Sequence, residues 1–437
     1  MSNEPQGSHL MGTYKPAPVR FVRGEGAWLY DDEGRRYLDL LCGIAVTSLG
    51  HAHPAVAEAV SAQAHRLLHV SNLFQNELAE DVAARIDRLI TAGAGADPAV
   101  GAAAPAGADP PAGAGADPAG AAAPAGKVFF CNSGAEANEC ANKLARRVGG
   151  HGRYTVLSAY GSFHGRTLAT LHATGQPHKH EPFAPLPEGF RHVAYGDLAA
   201  LESAADPATV VAVLLEPIEG EGGIVEPPPG YLRRVRQLCD ERGILLILDE
   251  IQTGLGRTGR WFAFQHEGIA PDIVTMAKAL GNGVPVGACW ARTAVADEFQ
   301  PGDHGSTFGG QPLALSAARA TLQTMVEIDA PALAAKAGER LAAGVAELPG
   351  VASVRGRGLL IGAVLEEGID AGAVVSAALD AGVVINSPVP GVLRLAPPYI
   401  VGDAEIDHAL TQLATVLAAA SAPLTAAAPQ RLSRPGP

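Results

Sequence analysis

At 437 residues the chain is longer than one typical hydrophobic core, and its 47% hydrophobic content suits two packed lobes rather than a disordered chain. A formal charge of −13, from 32 basic and 45 acidic side chains, excludes the electrostatic footprint of a nucleic-acid binder or of a protein of anionic membranes. No apolar run reaches membrane-spanning length, the N-terminus MSNEPQGSHLMG has no signal-peptide core, and the five cysteines include no C-x-x-C pair, so a cytoplasmic protein with reduced thiols is expected.

In chain order, residues 26–41 (GAWLYDDEGRRYLDLL) predict a β-hairpin about the turn residues Asp31 to Gly34. Residues 54–69 have helical spacing and start at Pro54, and 77–91 predict a second amphipathic helix. Residues 92–126 are different. AGAGADPAVGAAAPAG returns almost unchanged as AGAGADPAGAAAPAG, with Val100 as the only bulky side chain. Such a segment cannot offset its ordering entropy by burial, and a disordered surface loop is expected.

Strong α/β alternation follows. KVFFC (127–131) predicts a strand and 134–148 a helix; VVAVLLE (210–216), ILLILDE (244–250) and DIVTMA (272–277) are short apolar runs. Runs of this kind suit strands buried on both faces of a largely parallel sheet, separated by helices such as 231–243. From Pro312 the pattern becomes helix, then the strands GLLIGAVLE, VVINSPV and VLRLAPP, then a helix near 403–420. The expected fold class is α/β: a large domain spanning 61–311 with the insertion 92–126, a smaller α+β domain at 312–420 joined by the N-terminal segment 1–60, and an unstructured tail at 421–437.

Three places carry chemistry. Asn132-Ser133-Gly134-Ala135-Glu136 follows a strand and opens a helix. Ser133 with Glu136 matches a capping box, and the amides of Gly134 and Ala135 would face an anion at the helix N-terminus. Read alone, the segment favours an ordinary capped helix. Asp249 ends the apolar run ILLIL, at the strand end where open α/β sheets bind ligands. A carboxylate there needs backbone donors or a cationic partner, and a protonated pyridine nitrogen would serve. Lys278 follows a buried strand and precedes Gly281 and Gly283, unlike lysines on polar helix faces. A lysine in an apolar setting can serve as amine nucleophile and later as base; a buried ion pair is the structural alternative. Lysine is scarce (Lys15, Lys127, Lys143, Lys179, Lys278 and Lys336), so lysine chemistry has few candidates.

Taken in order, NSGAEANE (132–139), FHGRT (163–167), EPIEGEGG (216–223), LDEIQTGLGRTG (248–259), AKALGNGVPVGA (277–288) and HGSTFGG (304–310) resemble the ornithine/acetylornithine subgroup of class-III, fold-type I aminotransferases that use pyridoxal 5′-phosphate (PLP). VRGEGAWLYDDEGRRYLDLLCGIAV and LGHAHPAV are similar to the acetylornithine branch of that subgroup. The resemblance implies a large domain with a mostly parallel sheet flanked by helices, plus a smaller α+β domain. It implies that Lys278 carries PLP and that Asp249 pairs with the ring nitrogen. Glu250, Ile251 and Gln252 would surround the cofactor, with Gln252 near the ring hydroxyl, and Phe163 would stack on the ring. Ser133, Gly134 and Ala135 would hold the phosphate, joined by Thr307 from the second subunit of a homodimer whose sites lie at the interface. Arg166 would take a substrate carboxylate, Ser306 would touch the acyl end, and Glu216 would lie among the substrate residues. Arg394 would receive the α-carboxylate of glutamate, with Glu221 neutralising it when the δ-amino substrate is bound. The implied reaction moves the δ-amino group between N2-acetylornithine and 2-oxoglutarate, within arginine biosynthesis; ornithine, succinylornithine and 4-aminobutyrate are the alternative amines. The chain departs from the usual pattern at Glu219 (Gln in the family), Gln311 (Asn) and Thr47-Ser48. His51 and His53 have the look of a metal pair, but belong to the phrase LGHAHP, and no metal site is expected.

Overall fold

The computed structural model describes residues 9–15, 18–92 and 125–421 of the chain. The loop expected at 92–126 lies outside the described residues except at its two ends, and the tail lies outside them beyond Ser421. Strands β1 (Phe21–Glu25), β2 (Trp28–Asp31) and β3 (Arg36–Asp39) open the fold. β2 and β3 form the expected hairpin, its turn held by the amides of Glu33 and Arg35, which donate to Asp31 Oδ1 at 3.0 and 2.8 Å. β1 adds an antiparallel neighbour to β2 that the sequence reading did not mark.

The helix Pro54–Arg66 starts at its proline and stops short of the expected residue 69, because Leu67 is extended. In the helix Glu77–Thr91, the Asn76 side chain caps the amides of Leu78 and Ala79, and Leu78, Val82, Ile86 and Ile90 recur every four residues as its buried stripe.

The central sheet contains β4 (Gly126–Cys131), β5 (Thr155–Ala159), β6 (Phe190–Val193), β7 (Val210–Leu215), β8 (Leu245–Asp249), β9 (Ile273–Met276) and β10 (Gly287–Arg292). Their order is β4-β10-β9-β8-β7-β5-β6. β5 to β9 pair in parallel, while β10 runs antiparallel to both β4 and β9, so the sheet is mostly parallel as expected. Strand alternation divides the apolar side chains between two cores. Leu245 and Ile247 of β8 join Cys140, Leu144 and Ala145 of the helix Gly134–Gly149, whereas Leu246 and Leu248 face the core shared with Val235 and Leu238 of the helix Tyr231–Arg242. Covering both faces in this way is what allows β7 and β8 to be buried at every residue.

The C-terminal part begins with two helices, Pro312–Glu327 and Ala330–Ala346. β11 (Val351–Arg357) and β12 (Leu360–Leu365) follow, then the helix Ala371–Asp380, the short β13 (Val383–Val384), β14 (Val392–Leu395) and the helix Asp403–Ser421. β11, β12 and β14 make an antiparallel sheet. β13 instead pairs in parallel with β3, Val383 opposite Leu38, so only two residues of the expected strand VVINSPV enter a sheet, and that sheet is the N-terminal one. No helix among the described residues is long and apolar enough to cross a membrane.

Candidate active site

The carboxyl ends of β4, β7, β8 and β9 face one edge of the central sheet, the edge where open α/β folds bind ligands. Ser133, Glu216, Asp249 and Lys278 stand at or just beyond those ends. They border one cavity of about 450 Å³, together with Gly134, Ala135, Phe163, Arg166, Ile251 and Gln252.

Lys278 follows β9 with φ of +45°, in the left-handed region that costs a residue with a side chain on the order of 1 kcal/mol or more. The turn after it is anchored by Asn282, whose Oδ1 accepts from Leu49 N at 2.8 Å and whose Nδ2 donates to Gly50 O at 3.1 Å. Among the described residues no hydrogen bond or ion pair engages Lys278 Nζ, so the buried-ion-pair alternative has no support in the geometry. Burial pushes the Lys278 ammonium pKa down; Arg394 adds to that effect, while Glu221, Asp249 and Glu216 oppose it.

Asp249 is the centre of a buried network. Asn138 Nδ2 donates to its Oδ2 at 2.8 Å, His164 Nδ1 lies 2.8 Å from the same oxygen, and Ile251 N donates to Oδ1 at 3.1 Å. Thr275 Oγ1 donates to Asn138 Oδ1 at 2.7 Å and fixes that amide. His164 Nε2 is buried without a partner among the described residues. The roles of Asn138 and His164 were not read from the sequence. The signal available was a polar residue on the buried stripe of the helix 134–149, and the histidine of FHGRT.

The helix start differs from the expected capping box by one residue. Ser133 Oγ does accept from Glu136 N, at 3.2 Å, but the Glu136 carboxylate reaches the amide of Asn132 at 2.6 Å rather than that of Ser133. The amides of Ser133, Gly134 and Ala135 are therefore left without an acceptor among the described residues, beside the cavity. A Cβ on Gly134 would stand 2.7 Å from Ile251 Cδ1, so glycine there lets the helix start close against the cavity wall.

Arg394 is fully buried just behind Gln252. Its Nη1 donates to Glu221 Oε1 at 2.5 Å and to Gln252 Oε1 at 3.1 Å, its Nε donates to Asn386 Oδ1 at 3.0 Å, and its Nη2 has no partner among the described residues. Gln252, expected near a ring hydroxyl, thus has its oxygen committed to Arg394. Glu216 accepts from the amides of Phe163 at 2.8 Å and Gly220 at 3.0 Å; burial, with Asp249 nearby, raises its pKa to about 8.

Besides Arg394 and Glu221, three expected residues lie outside the cavity lining. Glu250 points to the opposite side of the chain from Asp249, as a strand's alternation requires. Its carboxylate accepts from Thr253 Oγ1 at 2.5 Å and from Phe264 N at 3.0 Å, so it organises the following loop and does not border the ligand space. Ser306 lies one side chain back from the edge, its Oγ accepting from Asn132 Nδ2 at 3.3 Å and from Gly309 N at 2.9 Å. Thr307 is exposed and does not line the cavity of its own chain. Of the unusual residues, Glu219 is buried with Oε1 unpartnered, Gln311 accepts from Val70 N at 3.0 Å, and Ser48 Oγ accepts from Arg257 Nη2 at 2.6 Å. His51 Nε2 lies 2.8 Å from Asp39 Oδ2.

The donor set fits PLP: three free amides at a helix N-terminus for a phosphate, a buried carboxylate for a ring nitrogen, an aromatic side chain at the wall and an unengaged lysine amine. Fold and site together define a PLP-dependent transferase of the α/β type. Residues 11–417 match the family "Aminotransferase class-III". The chain is 46% identical over 411 residues to the acetylornithine aminotransferase of Corynebacterium efficiens, covering 94% of this chain and 95% of that one. It is 48% identical over 410 residues to that of Methanopyrus kandleri, covering 94% and 97%. Its fold is similar to the ornithine aminotransferase of Toxoplasma gondii, with a TM-score of 0.82 and 32% identity over 94% of this chain and 92% of the other; that structure holds PLP at partial occupancy at its active site. The chain belongs to the class-III aminotransferases, enzymes that depend on PLP.

Proposed function

We propose that this enzyme moves the δ-amino group of N2-acetylornithine to 2-oxoglutarate, giving N-acetylglutamate 5-semialdehyde and glutamate. The observation that carries the reading is the pairing of Arg394 with Glu221 while Arg166, at the cavity wall, has no ion-pair partner among the described residues. A substrate that enters amine-first brings no carboxylate to Arg394, so that guanidinium is neutralised from within. Its carboxylate, at the other end, meets Arg166, whose fork suits bidentate binding.

PLP, when bound, supplies an electron sink for the charge left at the substrate carbon. In this reading Lys278 would hold the cofactor through Nζ, and the freed Nζ would be the base that takes the proton from the substrate δ-carbon. Asp249, oriented by Asn138 and His164, sets its negative charge against the ring nitrogen. The amides of Ser133, Gly134 and Ala135 would hold the phosphate, and Phe163 and Ile251 would pack the ring. In the second half, Glu221 leaves Arg394 so that the α-carboxylate of the keto acid can bind there. Ser306, through Asn132, borders the acyl end.

The same reading divides the chain into a large cofactor lobe at 61–311 and a small lobe at 312–420 that includes the N-terminal segment 1–60; the β3–β13 pairing supports that join. It also makes the enzyme a cytoplasmic homodimer, with Thr307 completing the phosphate site of the other copy. Exposed Leu73, Phe74 and Phe308 support this: Asn72 Nδ2 bonds to Ser306 O and Gly309 O at 2.9 and 3.0 Å, so the apolar side chains form one patch beside Thr307. Steady-state rates with N2-acetylornithine, ornithine and 4-aminobutyrate test the substrate. N2-acetylornithine is expected to have the highest kcat/KM, and its ranking last would overturn the reading.

A further inference from the structure

Two cations share one aromatic ring at the wall of the cavity. Arg166 Cζ lies 5.6 Å from the centroid of the Phe163 ring and Lys179 Nζ lies 5.7 Å from it. Neither cation has a carboxylate partner among the described residues. Glu221, whose field reaches Lys179, is committed to Arg394 at 2.5 Å. Like charges held together without an anion raise the energy of the empty site, in a chain whose formal charge is −13.

Lys179 is also positioned. Gln176 Nε2 donates to the carbonyls of Gly161 at 3.3 Å and Ser162 at 3.1 Å, and this sets the amide so that its Oε1 accepts from Lys179 Nζ. The ammonium has three donors, and this bond uses one of them. Half-buried, Lys179 has its pKa lowered by burial and by Arg166, against the opposing pull of Glu221.

We propose that Lys179 is a substrate-binding residue that joins Arg166 in a two-cation receptor for the substrate carboxylate farthest from Lys278. The proposal rests on the aminotransferase reading above. It gives one receptor for two ligands: the α-carboxylate of the N2-acylated amine in the first half-reaction, and the distal carboxylate of the five-carbon keto acid in the second. The guanidinium imposes a planar approach, whereas the ammonium is a compact charge that tolerates several. The pair can therefore hold carboxylates that arrive in different orientations.

The test compares wild type, Lys179→Met and Lys179→Arg as holoenzymes, with glutarate binding by calorimetry beside steady-state kinetics. Glutarate carries the two carboxylates and no reacting group. Loss of one charge-assisted hydrogen bond predicts about tenfold weaker glutarate binding and about tenfold higher KM for both acidic substrates in Lys179→Met. Values of kcat should stay within about twofold, and Lys179→Arg should recover most of the binding. Pentylamine, an amine without a carboxylate, should react equally with wild type and Lys179→Met. Unchanged glutarate affinity, or an equal loss with pentylamine, overturns the assignment. If wild type fails to turn over N2-acetylornithine, the substrate proposal falls, and glutarate binding still decides the role of Lys179.

Discussion

Arg394 Nη1 stands 2.5 Å from Glu221 Oε1 inside the protein, while Arg394 Nη2 has no partner among the described residues. Asn386 holds the same residue by two bonds, Arg394 N to Asn386 O at 2.7 Å and Nε to Oδ1 at 3.0 Å, so the guanidinium is fixed and Glu221, which is partly exposed, is the member free to move. Removing the Glu221 charge should leave Arg394 open to an α-carboxylate. Glu221→Gln is therefore expected to shift the ratio of kcat/KM for glutamate over N2-acetylornithine by about tenfold or more towards glutamate. Half-reaction kinetics with each donor measure this, and an unchanged ratio contradicts it.

Asp249 Oδ2 receives both Asn138 and His164 at 2.8 Å. Asn at this position keeps the shape and loses the charge. Asp249→Asn should fold, still contain PLP and lose about 10²- to 10³-fold in kcat, the usual size of one preorganised electrostatic contact. Single-turnover absorbance changes with N2-acetylornithine report the loss; a variant within threefold of wild type would remove Asp249 from the chemistry.

Glu219 gives a pH prediction. Burial raises its pKa from an ordinary 4.5 to about 8, and its Oε1 has no partner among the described residues. The folded state then binds a proton that the unfolded state has released. The stability this contributes is complete below pH 4.5 and is lost as pH rises through 8. Glu219→Gln removes the penalty, so its Tm should exceed that of wild type by roughly 2 °C at pH 9 and differ little at pH 4.5. Equal shifts at both pH values would show that Glu219 is not titrating in this window.

Much of this was legible in the residues. ILLILD and DIVTMA are apolar runs too short for helices, and they place Asp249 and Lys278 at strand ends without any other information. Glu250 turns away from the cavity because a motif lists neighbours together, while an extended backbone sends their side chains to opposite faces. β10 was missed because GACWAR, with Gly, Ala and Arg in its six residues, lacks the unbroken aliphatic run that marks β7 and β8. The bond from Arg394 to Gln252 joins residues 142 apart in the chain, and the Asn138–Asp249 bond joins residues 111 apart. Distances of that kind follow from the crossovers of the sheet and have no local signature.

The insertion offers a simpler test. Asp87 Oδ1 accepts from Gly126 N and from Trp290 Nε1, both at 2.8 Å, and Thr293 N donates to Ala125 O at 2.9 Å. The residues flanking 93–124 are thus held by the fold on both sides. Replacing 93–124 with a short glycine-rich turn should leave kcat/KM within about twofold, since loop length changes closure entropy only slowly. Loss of soluble enzyme would show that the segment supports the fold. Asp87→Ala, by contrast, should cost about 2 kcal/mol or more, because it leaves two donors unpaired; denaturant unfolding measures that directly.

The central claim is that Lys278 carries the cofactor, and borohydride reduction of the holoenzyme followed by peptide mass mapping tests it most directly. The account predicts the reduced phosphopyridoxyl label on Lys278, no specific label in Lys278→Ala, and no transamination by that variant. A label on another lysine, or a Lys278→Ala enzyme that still transaminates, would contradict it.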